Sequence, residues 1–136
     1  MKQALIVASM MLLSVTAFAG KAEREFMKSD VNPAVKAANE KVKAACGCAM
    51  NIIVDEASLS KQDEMYPIKH MAQSIAEEAP KYCTDEASKK AVCKIKTLVL
   101  AKTATAEFKF NNGKGIMSTD GQSQCSWDMV TREVDK

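Results

Sequence analysis

From Cys93 to Trp127, apolar and polar residues alternate in short runs separated by Asn112-Gly113 and Asp120-Gly121, the pattern of consecutive strands joined by tight turns. Asn-Gly supplies two residues that tolerate positive φ, so Asn112-Gly113 predicts a two-residue type I′ turn. That turn sets Asn111 opposite Lys114, Phe110 opposite Gly115 and Phe108 opposite Met117, with a ring covering the strand glycine. The same arithmetic at Asp120-Gly121 places Cys125 opposite Ile116 and carries a further strand through 122–127.

Upstream, Val92 to Thr103 is rich in β-branched residues and predicts a strand, with Leu98 and Leu100 covered by a second layer built from the C-terminal segment. A helix over 87–100 also fits, because Ala87, Ala91, Ile95, Leu98 and Val99 keep a 3.6-residue period. Cys48, Met50, Ile52 and Val54 alternate with polar or mixed positions and predict a strand over 48–54, against a rival helix running unbroken from Pro33 to Glu56. Gly47 and the β-branched cluster favour the strand.

Two helices stand out. Asn32-Pro33 pairs an N-cap residue with proline at the first helical position and opens a helix over 33–45 whose inner face is Val35, Ala38, Val42 and Ala45. Ile68, Met71, Ala72, Ile75, Ala76 and Ala79 trace the core-facing stripe of a helix over 63–79, with Asp63 as N-cap and Pro80 as terminator. The tail spaces Trp127, Val130 and Val134 as a short helix capped by Ser126. The fold expected is α+β: an antiparallel sheet of about four strands (48–54, 92–102, 105–111, 114–119) with two main helices packed on it, cross-linked by disulfides.

The leader changes the compartment. Lys2, the apolar run from Ala4 to Val15 and the small residues of Ala17-Phe18-Ala19 have the form of a secretory signal peptide over 1–19. Periplasmic or secreted localisation follows, and no later stretch is a candidate integral membrane segment. Residues 20–31 are charged and sparse in apolar side chains, and a partly mobile lead-in is expected there, ahead of a single domain over 32–136.

Charge and chemistry narrow the function by exclusion. The formal net charge is +2, which gives nucleic acid no electrostatic footprint to follow. Lys89, Lys90, Lys94, Lys96 and Lys102 form a basic run without stacking aromatics, better read as a solvated face than as an anion site. His70 is the sole histidine, on a polar helix face with no serine motif around it, and neighbouring carboxylates such as Asp55-Glu56 and Glu77-Glu78 diverge in space. No catalytic residues and no cofactor are expected.

Five cysteines in an exported chain point to cross-links. Cys46, Cys48, Cys83 and Cys93 are expected to form two bridges, leaving Cys125 as the free thiol, packed as a small hydrophobe. Cys46-Gly47-Cys48 carries the alternative: a strained, easily reduced bond or, with Met27, Met50, Met65, Met71, Met117 and Met129 nearby in composition, a copper(I) site. The favoured function is a non-enzymatic binding protein, an inhibitor or immunity-type partner of another exported protein.

Overall fold

The computed structural model describes residues 20–136, so the leader expected over 1–19 lies outside the described residues. Helix α1, Lys21–Phe26, runs through a π-helical segment, Met27–Val31, into α2, Asn32–Cys46. Strand β1, Asn51–Val54, follows, then a 3-10 turn at Glu56–Ser58, helix α3 at Gln62–Tyr82 and helix α4 at Glu86–Val92. Strands β2, Thr97–Lys102, β3, Phe108–Asn111, and β4, Lys114–Thr119, lead to helix α5, Trp127–Val134. Helices and a four-stranded sheet make the α+β class, but the sheet is mixed rather than antiparallel.

Its order is β1-β2-β4-β3, with β2 parallel to both β1 and β4 and only the β3–β4 hairpin antiparallel. Two connections produce this. Between β1 and β2 the chain detours through α3 and α4, a crossover that returns the second strand in the same direction. After β2 the 103–107 loop carries the chain past the next position, so β3 takes the edge and β4 folds back into the gap. Composition explains the choice: β4 is buried along most of its length, as a central strand must be, whereas β3 alternates half-buried and exposed residues. Ser118, at the exit of β4, fixes the loop by donating its hydroxyl to Thr105 O at 2.7 Å and accepting from the Glu107 amide at 3.1 Å.

The hairpin has the expected register, with Asn112 at φ 50° and Gly113 at φ 79°. The ring over Gly115 is the diagonal Phe108 rather than the opposed Phe110; a Cβ on Gly115 would lie 2.7 Å from Phe108 Cε1. Asp120-Gly121 does not make a two-residue turn. The Asp120 carboxylate accepts the amides of Gln122 and Ser123, closing a longer loop in which Thr119 pairs with Gln124. Cys125 therefore opposes Ser118, not Ile116, and the strand expected over 122–127 is reduced to an isolated bridge.

Residues 86–102 divide between the two structures that the sequence allows. Asp85 caps α4 by accepting the Ser88 amide at 2.8 Å, the helix stops at Val92, and the strand begins only at Thr97. The first strand is likewise shorter than 48–54, and α2 ends in Gly47 at φ 80°, which excludes a helix through to Glu56. Residues 21–31 are helical, with Met27 and Val31 buried. Asn32 is not an N-cap, because the helix runs on past it toward the N-terminus. The π segment lies just before Pro33 and widens the turn where the proline ring would clash with the Ser29 carbonyl.

Helix α3 is longer than 63–79 at both ends. Pro80 withholds only its own N–H, and Cys83 still donates to Ala79 O at 2.9 Å. Asp63 lies inside the first turn; the entry is made instead by Glu64, whose Oε1 accepts from the Ser60 amide and hydroxyl and the Lys61 amide. Met65, Ile68, Met71, Ala72, Ile75 and Ala79 are buried against Ile52, Leu98, Leu100 and Met117 of the sheet and Ala38 and Val42 of α2. It is α3, not the C-terminal segment alone, that packs over Leu98 and Leu100.

Candidate functional site

The structure brings together the four cysteines named for the bridges: Cys46 pairs with Cys83 and Cys48 with Cys93, at Cα separations of 5.2 and 5.9 Å. Their positions follow from helix ends. Cys46 is the last residue of α2, Cys83 follows α3 and Cys93 follows α4, so the bridges gather three helix C-termini beside the starts of β1 and β2. Gly47, in the left-handed region, turns the chain so that neighbouring cysteines reach different partners.

This environment works against thiol chemistry. Reactive cysteines sit near helix N-termini, where the dipole supports the thiolate; three C-termini present partial negative charge and oppose it. Cys46 and Cys48 are not bonded to each other, so the short strained bond is absent, and both sulfurs are committed to bridges rather than available as a thiolate pair for copper. Met27, Met50, Met65, Met71 and Met117 are buried in the core, where a thioether fills space. His70 is exposed on the outer face of α3.

The lysines make sense against the same helix ends. Lys43, Lys81, Lys89 and Lys90 occupy last turns, and Lys94 donates to Val134 O at the end of α5 at 2.8 Å. Lys102 belongs to the opposite end of the sheet, 3.3 Å from the buried Glu64 carboxylate. Burial pushes that carboxyl's pKa up, but hydrogen bonds from Ser60 and the charge of Lys102 outweigh it and leave it below its ordinary value. Cys125 is free and 1% exposed, and burial pushes its thiol pKa up to about 11, so it stays protonated and inert.

The remaining surface of interest is the back of the sheet. The register aligns Ile53, Val99, Ile116 and Lys109 in one row on the face opposite Leu98, Leu100 and Met117. Val99 and Ala101 are buried yet lie outside the main core, and Ile53 is 42% exposed. The 103–107 loop covers the upper part of this face and leaves a pocket of about 240 Å³ beside Ile116 and Ser118. Asn51, Lys114 and Asn111 rim the lower part and are exposed. Strand periodicity marks these residues one strand at a time; what it lacks is the strand order that aligns them in one row.

Among the described residues no helix is long and apolar enough to cross a membrane, and the two bridges suit an oxidising compartment. No family model, no curated protein and no solved structure matches this chain.

Proposed function

We propose that this is an exported, periplasmic or secreted, non-enzymatic binding protein that recognises another exported protein through the lower part of the sheet face opposite α3, which the 103–107 loop leaves open. One observation carries the reading. Sheets with parallel pairs are ordinarily covered on both faces, because helical crossovers pack on each side. Here α3 covers one face, while Ile53, Val99 and Ile116 form an apolar row on the other, with Ile53 half in solvent. Lys109, Lys114, Asn51 and Asn111 supply the polar rim typical of a recognition patch.

A photo-crosslinking residue at position 53, compared with one at His70 on the exposed face of α3, tests this in the producing cell. A discrete protein adduct from position 53 and none from position 70 is expected. Adducts equal at both positions, or at neither, would rule out the sheet face as the recognition surface.

A further inference from the structure

The strand order that aligns the apolar row of the sheet face also aligns the row below it. Asn51 pairs with Thr97, Thr97 with Lys114 and Lys114 with Asn111, so each of the four strands sets one side chain in line on the face opposite α3. These positions lie two residues along their strands from Ile53, Val99, Ile116 and Lys109, and period two keeps both rows on one face. All four side chains are hydrogen-bond donors, and none has a partner among the described residues.

Charge gives this face a direction. Below the apolar row, Lys114 is joined by the exposed Lys96, whose side chain packs beside Gly113 of the hairpin turn, and neither has an ion-pair partner among the described residues. Above the row stand the acids. Asp55 follows Ile53 by two residues, and Glu107 is held by the Thr105 hydroxyl at 2.8 Å and by Lys109 at 3.1 Å. Beside Asn51, Glu40 and Lys43 of α2 carry opposite charges, so the uncompensated cations lie at the hairpin. Neighbouring strands set the Thr97, Lys114 and Asn111 donors about 5 Å apart, close enough for one carboxylate to reach two of them. We propose that the partner recognised by this face is acidic: it lays an apolar side chain on Ile53, Val99 and Ile116 and a carboxylate on Lys114, its second oxygen accepting from Thr97 or Asn111. The inference rests on the sheet-face reading and adds the sign of the partner and the direction in which it lies.

Photo-crosslinking from position 53 in the producing cell, repeated in charge variants, tests the proposal. Lys114→Gln should lower the adduct yield roughly 3-fold and Lys114→Glu roughly 10-fold or more. Asp55→Asn, on the other side of the apolar row, should leave the yield unchanged or raise it. Both positions are exposed, and the variants should keep the parent's thermal unfolding. Mass spectrometry of the adduct should find aspartate or glutamate beside the linked partner residue. Yields that ignore both Lys114 substitutions, an equal loss with Asp55→Asn, or a linked segment that is basic would overturn the acidic partner and leave the sheet face as a recognition surface. An adduct of two copies of this chain, or no adduct from position 53 in the parent protein, overturns both.

Discussion

The two ends of the sheet are closed by different kinds of bond. Where β1 and β2 begin, the Cys46–Cys83 and Cys48–Cys93 bridges join the ends of α2, α3 and α4. Where the same strands finish, closure is polar: Glu64 holds Ser60, Lys61 and Lys102, and the Ser58 hydroxyl accepts the Lys102 amide at 3.0 Å. A covalent closure acts mainly by restricting the unfolded chain and is indifferent to protonation. A buried carboxylate acts only in the folded state and only while ionised. The difference predicts that one end answers to reductant and the other to acid.

The largest effect should come from the bridged end. Loops of 37 and 45 residues are closed, for which chain entropy gives about 4 kcal/mol per bridge. The loops overlap, so removing either bridge while the other remains should cost less than removing the last one. Replacing all four cysteines by alanine should consume much of the ~5–15 kcal/mol that stabilises a domain, as measured by urea unfolding. The bridges also differ in access: Cys46 and Cys83 are 3% and 6% exposed, whereas Cys48 and Cys93 are half-buried. Under a glutathione buffer, alkylation should therefore label Cys48 and Cys93 first. Loss of less than ~1 kcal/mol in the quadruple variant would mean that packing, not the bridges, closes this end.

At the polar end, Glu64→Ala strands the Ser60 and Lys61 amides and leaves Lys102 without its buried partner, a loss of about 3 kcal/mol. The pH sign follows from the lowered pKa. Its contribution is complete above the ordinary value of 4.5 and disappears as pH falls through the lower folded value. Acid should thus accelerate amide exchange around 58–64 and 102 before it affects 46–48. Equal acceleration at both ends would remove the distinction between them.

Much of this architecture was legible in local signals. The α3 stripe and the Asn112-Gly113 register depend on contacts a few residues apart, and both are present in the structure. Strand order was not legible, because β4 enters the gap beside β2 through a loop whose path is set by Ser118, far from β2 in sequence. Cys125 was misplaced for a smaller reason: the Asp120 side chain mimics backbone and lengthens the turn. The Glu64 latch did leave a trace, since Ser60 and Glu64 bracket the helix start, but nothing local points to Lys102. The face opposite α3 needed the strand order before its apolar residues could be aligned, so the candidate surface emerged only with the sheet.

The smallest expected effect lies between the two ends, on the free edge of β1. Ile52 turns its backbone away from β2, and the Asn39 side chain of α2 meets it as a strand would: the Ile52 amide donates to Asn39 Oδ1 at 3.0 Å, and Asn39 Nδ2 donates to the Ile52 carbonyl at 3.4 Å. A single amide thus occupies an edge that would otherwise offer its hydrogen bonds to another chain. Asn39→Ala should cost about 1 kcal/mol, because the edge groups can turn to water, and Asn39→Asp should cost more than alanine because a carboxylate cannot donate to the carbonyl. Neither change touches a bridge or Glu64, so faster exchange should be confined to Ile52 and its β2 neighbours. If Asn39→Ala also promotes concentration-dependent association, the side chain guards the edge as well as holding β1 to α2. If it changes stability by less than ~0.3 kcal/mol and leaves exchange at Ile52 unaltered, the two ends alone hold the strand in place.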